Sequence, residues 1–322
     1  MAPLRSLGNP DISPFDDVFA ATGKRYNHEY EEPANYQGAG AATRGFYAGL
    51  YPPIAGVANI DTIVIATTAD ATDFGDLTYT QQQAGACAGL TRGLWAGGYG
   101  DGGNRDDIDY ITMGTTGSAS DFGALITEQH GVSGLSDATR GCFCGGTADS
   151  TSIEYVTIAS TGNASNFGDS AAPNRNPATC QSQTRGIIAG GGSNQIGYIT
   201  IQTTGDTTDF GDLNWTAQYG AGGSNNTRGI ITRANGYFDV DYITIATTGN
   251  ATDYGDLTPV GGNIQSMASS DTRVVRGRGS SPGTNTMDYG EIMTTGNFTD
   301  FGDMTDSLAA QYGTSGDHGG LQ

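Results

Sequence analysis

The stretch Val240-Asp-Tyr-Ile-Thr-Ile-Ala-Thr-Thr-Gly-Asn-Ala-Thr-Asp-Tyr-Gly-Asp-Leu257 decides the fold of this chain. Its first half roughly alternates apolar and polar residues, which indicates a half-buried β-strand. Thr-Gly-Asn-Ala then supplies turn chemistry, and a second short strand runs into Asp253-Tyr-Gly-Asp256. The stretch therefore predicts a β-hairpin that ends in an aromatic residue followed by Gly-Asp.

Five relatives of this hairpin occur elsewhere in the chain. They begin at Ile60, Ile108, Ile153, Ile196 and Met287. Fourteen residues after its start, each of the six copies has an aromatic residue, namely Phe74, Phe122, Phe167, Phe210, Tyr254 or Phe301. A second marker, Thr-Arg-Gly, places an arginine at Arg44, Arg92, Arg140, Arg185 and Arg228, with Arg273 in a Thr-Arg-Val variant. We interpret both sets as structural positions of one repeat.

The spacing of the two markers shows where the copies differ. Successive arginines are 43 to 48 residues apart, and each aromatic precedes the next arginine by 18 or 19 residues. The distance from an arginine to the next hairpin varies more, from 11 to 16 residues. A period of this length, with four short strands per unit, is typical of a β-propeller blade. The sequence predicts an all-β fold, a six-bladed propeller of four-stranded antiparallel blades over residues 36–322.

Each predicted blade has four strands, which we label a to d. Strand a is small and glycine-rich, as in Ala84-Gly-Ala-Cys-Ala-Gly89, and is expected near the crowded central axis. Strand b follows the arginine, and strands c and d form the hairpin. There are seven candidates for strand a and only six blades, so either terminus could close the ring. We favour the C-terminal candidate, residues 309–313.

The repeat resembles the kelch propeller repeat. Double glycines stand at Gly97-Gly98, Gly145-Gly146 and Gly190-Gly191, and tyrosines stand where kelch blades carry one, at Tyr110, Tyr155, Tyr198, Tyr242 and Tyr289. Phe or Tyr replaces the usual late tryptophan, and the first blade departs further, with Gly49-Leu50 and Thr62. The amino-acid sequence of the hairpin also resembles repeats in structural proteins of marine bacteriophages, cyanophages among them. The resemblance spans roughly residues 44–316 and implies architecture more specifically than function.

Composition narrows the possible partners. The chain of 322 residues has 34 acidic and 14 basic side chains, a formal net charge of −20. The negative electrostatic field of such a charge disfavours nucleic-acid binding, which needs a basic face. No apolar run approaches the roughly 20 residues that cross a bilayer. We therefore expect neither nucleic acid nor membrane insertion.

Two regions suit protein contact. Residues 1–35 do not match the repeat and are interpreted either as a flexible terminus or as an extended arm that docks on a partner through Leu4, Leu7, Ile12, Phe15, Val18 and Phe19. The b–c loops, which differ in length, are expected on one face of the propeller. Their candidate binding residues are Tyr99, Arg105, Tyr237 and Phe238.

Other residues are given structural interpretations. Each repeated arginine is expected to pair with a turn carboxylate, as Arg92 with Asp76, and so to fasten one blade to the next. Asp70, Asp73 and Asp76 invite a calcium interpretation, but other copies place Ser or Asn at the position of Asp70, so a turn role is favoured. Cys87, Cys142, Cys144 and Cys180 are expected as small buried side chains, with a disulfide as the alternative. No catalytic residue, metal site or cofactor is predicted.

The resemblance to phage repeats implies a non-enzymatic structural protein of a phage particle, located on the capsid or tail and present in several copies. Its arm would bind other virion proteins, and a propeller face would contact a protein or a glycan of the host surface. The alternatives are a glycan-binding or glycan-cleaving propeller enzyme, with paired carboxylates in the central funnel, and a secreted bacterial adhesion module.

Overall fold

A computed structural model of the chain describes residues 44–49, 58–147, 150–172, 174–234, 236–257, 266–277, 285–306 and 312–316. These residues all belong to one compact unit, Gly38–Gln322. Within the described residues, β-strands are the only regular secondary structure, and no helix is long and apolar enough to span a membrane. The arm residues Leu4, Leu7, Ile12, Phe15, Val18 and Phe19 lie outside the described residues.

The strands in chain order are β1 (Arg44–Ala48), β2 (Asn59–Val64), β3 (Thr72–Asp76), β4 (Gly85–Ala88), β5 (Arg92–Ala96), β6 (Tyr99–Gly100), β7 (Gly103–Asn104), β8 (Asp107–Thr112), β9 (Ser120–Ala124), β10 (Val132–Ser136), β11 (Arg140–Gly145), β12 (Ser152–Thr157), β13 (Ser165–Asp169), β14 (Ala178–Gln181), β15 (Arg185–Ala189), β16 (Ser193–Thr200), β17 (Thr208–Ala217), β18 (Gly222–Ser224), β19 (Arg228–Thr232), β20 (Asp239–Thr244), β21 (Thr252–Asp256), β22 (Ser266–Ser269), β23 (Arg273–Gly277), β24 (Thr286–Glu291), β25 (Thr299–Asp303) and β26 (Tyr312–Ser315).

They form six four-stranded antiparallel sheets, which confirms the predicted six-bladed β-propeller, a fold consistent with a kelch-like repeat. Blades 2 to 6 have the strand orders β4-β5-β8-β9, β10-β11-β12-β13, β14-β15-β16-β17, β18-β19-β20-β21 and β22-β23-β24-β25. A small hairpin, β6-β7, decorates the b–c loop of blade 2.

Blade 1 is closed by the C-terminal strand. Its order is β26-β1-β2-β3, with Gly45 opposite Ser315 and Ala48 opposite Tyr312. The inner strand of this blade therefore comes from the opposite end of the chain. The preference for C-terminal closure is confirmed, with the strand beginning at Tyr312.

Strand a is small because neighbouring blades nearly touch at the axis. A Cβ on Gly134 of blade 3 would lie 2.4 Å from the carbonyl oxygen of Ala86 in blade 2. Gly222 and Gly313 would meet the preceding blade at 2.3 and 2.7 Å. What remains between the six inner strands is a cavity of about 80 Å³. These contacts confirm the predicted place of strand a.

Hydroxyl groups also join the inner strands. Ser136 Oγ accepts from the Ala88 N–H at 3.3 Å and donates to the Ala88 carbonyl at 2.7 Å. Ser224 makes the same pair of bonds to Gln181, at 2.9 and 2.7 Å. One serine side chain thus satisfies both backbone groups of a residue in the preceding blade.

The repeated aromatics lie in the cores between blades. Phe74, Phe122, Phe167, Phe210, Tyr254 and Phe301 are all buried. Phe122 of blade 2, for example, packs in one cluster with Phe143 and Val156 of blade 3. Cys87, Cys142, Cys144 and Cys180 are buried free thiols, as the filler interpretation predicts. Burial raises the pKa of Cys142 and of Cys180 to about 12.

The repeated arginines do fasten blade to blade, but the predicted acceptor is wrong. Arg92 Nη1 donates to the backbone carbonyl of Ile158 in the next blade, at 3.1 Å, and does not pair with Asp76. The same bond recurs around the ring from Arg44 to Met113, Arg140 to Ile201, Arg185 to Ile245, Arg228 to Ile292 and Arg273 to Ile65, at 2.8 to 3.3 Å. Arg273 alone adds an ion pair, with Glu291 at 2.9 Å.

The repeated tyrosine explains how each arginine is aimed. Arg92 stacks on the Tyr110 ring at 4.5 Å, and Arg185 on Tyr198 at 4.2 Å. A guanidinium held flat on a ring can still donate in its plane, so stacking and hydrogen bonding are compatible. Blade 1 lacks this tyrosine, and there Thr62 accepts from Arg44 Nε at 3.2 Å.

The outer strand of each blade is covered by the c–d turn of the next. Gly117 N–H donates to the Phe74 carbonyl at 3.0 Å, and Ala119 N–H to that of Asp76 at 2.7 Å. The turn side chain also contributes, since Asp70 Oδ1 accepts from the Asp303 N–H at 3.0 Å. Asn163, Asp206, Asn250 and Asn297 make the equivalent bond. Asp70 thus has the turn role that its position predicted, and sheet edges that could pair with other chains are occupied.

Antiparallel order divides the connections between two ends. The turn end contains the a–b and c–d turns, in residues 65–71, 89–91, 113–119, 137–139, 158–164, 182–184, 201–207, 225–227, 245–251, 270–272 and 292–298. The loop end contains the b–c loops and d–a linkers, in residues 49, 58, 77–84, 97–106, 125–131, 146–147, 150–151, 170–172, 174–177, 190–192, 218–221, 233–234, 236–238, 257, 285 and 304–306. The repeated arginines lie at the turn end.

Candidate functional site

The centre of the loop end is formed by residues in an unusual backbone conformation. Gln83, Gly131, Asn176 and Tyr219 hold the same position before strand a in blades 2 to 5, and their φ angles are 56°, 78°, 48° and 63°. The N–H of each of the last three donates to the carbonyl of the member before it: Gly131 to Gln83 at 2.8 Å, Asn176 to Gly131 at 2.8 Å and Tyr219 to Asn176 at 3.2 Å. We call these four residues the mouth ring, because they surround one opening of the central cavity.

Three members of the mouth ring are not glycine. A left-handed conformation is sparsely populated by residues with a Cβ, and Gln83 and Tyr219 are poorly suited to it. Such strain persists only where the surroundings enforce it, and it is concentrated at functional sites. The mouth ring is therefore a candidate site on conformational grounds.

A polar cluster lies beside this ring. Arg175 Nη2 is 2.7 Å from His130 Nε2 and donates to Gln83 Oε1 at 3.2 Å. His130 Nδ1 is 2.7 Å from Asn104 Oδ1. Since Arg175 can only donate, Nε2 accepts and Nδ1 carries the proton, so His130 is neutral. Burial, and secondly the charge of Arg175, lower the pKa of His130.

Several buried polar atoms at this end have no partner. Both side-chain polar atoms of Asn176, which is 5% exposed, are unbonded, and the Tyr312 hydroxyl, whose oxygen faces the Gln83 N–H, donates to no described group. Both residues line the central cavity. Burial raises the pKa of Tyr312 well above its usual range, so its hydroxyl stays protonated. Unpaired buried polar groups are costly, and a bound molecule would offset that cost.

The four candidate binding residues predicted in the b–c loops lie in different surroundings. Tyr237 and Phe238 are 46% and 45% exposed, and they flank Arg233, which stacks on Tyr237 at 3.5 Å and pairs with Asp239 at 3.2 Å. Trp215 lies on the other side of Arg233, at 5.7 Å. These residues form an aromatic patch over blades 4 and 5. Exposed aromatics around an arginine are typical of protein interfaces.

Tyr99 belongs to the polar cluster instead, and Arg105 is held by neighbouring residues of the loop end. Tyr99 is half-buried and meets the His130 ring edge to face, with centroids 5.6 Å apart. Arg105 stacks on Tyr79 at 4.3 Å and pairs with Asp107 at 2.8 Å. The structure thus separates the four predicted loop residues: Tyr99 packs on the polar cluster, Arg105 pairs near its own strand, and Tyr237 and Phe238 belong to the aromatic patch.

Buried carboxylates hold the linkers at this end. Asp109 accepts from the N–H and hydroxyl of Thr78, at 2.8 and 2.7 Å, and Asp241 accepts from the N–H of Asn214 at 3.0 Å. Burial raises the pKa of both carboxyl groups. Each joins strand c of one blade to the linker of the preceding blade. They are scaffold at the blade interfaces, away from the axis.

The mouth ring was missed in the sequence because it matches no motif. Its one signal is that Gly131 and Asn176, two residue types that tolerate a left-handed backbone, occur at the same position before strand a. Within the described residues, no three His, Cys, Asp or Glu side chains are grouped as a metal site would require. Among known proteins, neither a family model nor a curated protein matches this chain.

Proposed function

We propose that this protein is a non-enzymatic binding component of a phage particle, which uses the loop end of its propeller to contact a partner. The fold is compatible with a protein-interaction module. The observation that carries the proposal is the aromatic patch of Trp215, Arg233, Tyr237 and Phe238, which leaves two large side chains nearly half exposed. Interfaces are dominated by such aromatic and arginine residues.

The virion assignment is supported by the resemblance of the hairpin repeat to phage structural proteins. In this proposal, the N-terminal arm attaches the protein to other virion proteins, in several copies on the capsid or tail. The loop end then meets a protein or glycan on the host surface. The net charge of −20 supports a particle surface that stays soluble and does not bind nucleic acid.

The first test is incorporation into particles. Phage particles that lack the native protein would be complemented with the full chain or with a chain from which residues 1–33 are deleted. We expect the full chain to copurify with particles and the deletion to abolish copurification. Normal incorporation of the deleted chain would contradict an anchoring arm, and failure of the full chain to copurify would contradict the virion role.

The second test separates attachment from host contact. The double variant Tyr237→Ser, Phe238→Ser is expected to incorporate normally and to lower adsorption to host cells about tenfold or more, since hot-spot residues contribute on the order of 2 kcal/mol. The matched control is Val64→Ser, Met293→Ser, which removes exposed apolar side chains (51% and 53%) from the turn end. Equal adsorption by both variants would contradict the assignment of contact to the loop end.

A further inference from the structure

Arg175 is a cation without a counter-ion in the described structure. Its Nη2 contacts only the neutral groups Gln83 Oε1 and His130 Nε2, and its Nε is buried with no partner. Each of the ion pairs between described residues uses another arginine. A partly buried guanidinium with neutral neighbours only is poorly compensated, particularly in a chain with many carboxylates.

The residues around Arg175 are built to leave space for it. A Cβ on Gly131 would lie 2.7 Å from Arg175 Cγ and 3.1 Å from Asn176 Nδ2. Gly131 therefore lets the arginine and the asparagine lie side by side across the mouth ring. The backbone of Arg175 is fixed as well, because its N–H donates to the Gly191 carbonyl at 3.1 Å. This geometry holds the guanidinium beside the mouth ring, where Nη2 contacts Gln83 and His130.

Two further donors point to an anion. Asn176 and Tyr312 line the cavity, and their side-chain donors have no acceptor, as described above. The positive charge of Arg175 also acts on the Tyr312 hydroxyl, where it lowers the pKa against the larger, opposing effect of burial. A guanidinium with an amide N–H beside it and a phenol O–H within its electrostatic range matches the acceptor oxygens of a carboxylate.

We infer that Arg175, Asn176 and Tyr312 form a binding site for a single carboxylate group at the loop-end opening of the central cavity. The cavity of about 80 Å³ admits such a group and little more. The overall charge of −20 repels anions in general, so binding depends on the local donors rather than on the field of the protein. The carboxylate belongs either to a free small molecule or to an acidic side chain of a bound protein.

The test uses the isolated full chain and NMR detection of His130, which is assigned by comparison with His130→Gln. Sodium acetate is titrated against sodium chloride at constant ionic strength, and the pKa of His130 is measured at each step. A carboxylate bound to Arg175 would offset the positive charge that lowers this pKa. We therefore expect a saturable rise in the pKa of His130 with acetate.

Substitutions test whether the acetate response arises at Arg175. Arg175→Gln is expected to weaken the acetate response about tenfold or more, because it removes a charged hydrogen-bond donor. Arg175→Lys keeps the charge and should retain part of the response. Arg233→Gln, in the aromatic patch, is the matched control and should respond like the native chain. Thermal unfolding confirms that each variant is folded before its response is scored.

A second titration distinguishes the two sources of the carboxylate. The blocked peptide acetyl-Gly-Glu-Gly-amide is compared with its Gln counterpart. A response to acetate and to the Glu peptide indicates that an acidic side chain of a partner can enter, whereas a response to acetate alone indicates a small-molecule ligand. No saturable response to acetate, or an equal one in Arg175→Gln, overturns the site. That outcome would leave the particle and adsorption experiments unaffected.

Discussion

At the turn end, neighbouring blades are joined by the same contact at every interface, whereas at the loop end a carboxylate contact repeated in some blades stands beside contacts that occur only once. Arg140 and Arg185 both donate to the next blade's backbone, with the same geometry. At the loop end, Thr78 is held by Asp109, while Arg175 is held by His130 and Gln83. The turn end of each blade is thus held by one repeated contact, whereas the contacts at the loop end can differ from blade to blade.

The difference has a chemical origin. The acceptors at the turn end are backbone carbonyls, which are present whatever residue occupies the position, so the contact survives sequence drift. The loop end relies on side chains that meet particular partners, such as His130 with Asn104. Closing the ring therefore does not require conserved chemistry at the loop end, which can diverge towards a ligand.

The largest effect is expected from glycine substitutions that contrast the two ends. Gly211 has φ +147°, and a Cβ there would lie 2.5 Å from the Gly249 carbonyl oxygen of the next blade. Gly211→Ala should destabilise the fold by about 3 kcal/mol or more and lower Tm on the order of 10 °C. Gly103→Ala, at the loop end, has no atom within 4 Å of the added Cβ. It should leave Tm nearly unchanged in thermal unfolding, and equal losses would contradict the proposed division between the ends.

A smaller effect is expected from the arginines. Arg185→Gln removes the 2.8 Å bond to Ile245 and the stacking on Tyr198. We expect a loss of about 2 kcal/mol in the free energy of unfolding by urea. Arg233→Gln removes a half-buried arginine that pairs within its own loop, with Asp239. It should cost at most about 1 kcal/mol, and an equal or greater cost would show that the turn-end bonds do not hold the blades together.

The smallest expected effect is a change in the way that Tm depends on pH. Burial raises the pKa of Asp109 and of Asp241 above the ordinary value of 3.8. The folded chain therefore binds these protons more tightly than the unfolded chain, and their contribution to stability falls as the pH rises through the raised pKa values. In Asp109→Asn, Asp241→Asn this part of the decline should disappear, so Tm should depend less steeply on pH above 3.8.

The turn-end variant supplies the comparison for this titration. Neither a guanidinium nor a backbone carbonyl titrates in this range, so Arg185→Gln should lower Tm by a similar amount at each pH. A native-like pH slope in the double Asn variant would show that the buried carboxylates do not cause the decline.

A structural contact of this protein can be predicted from the sequence when the residues that make it recur at the same position in each blade. Phe122 and Arg92 recur at fixed distances, so blade number, core aromatics and the blade-fastening role of arginine could all be predicted. The acceptor could not, because the carbonyl of Ile158 is a group that every residue has. Arg175 and His130 occur once each in the repeat register and are brought together only by the ring, so no periodicity marks them.

The closing strand has a consequence for how the protein is made. Gly45 pairs with Ser315, so the first blade to leave the ribosome is the last to be completed. Until residues 312–315 have been synthesised, the inner edge of β1 lacks its partner strand β26, and the ring of blades cannot close. A chain halted before Tyr312 would carry an open propeller with an unpaired strand. Completion of the ring therefore waits for a four-residue segment that is made after the strands of the other five blades.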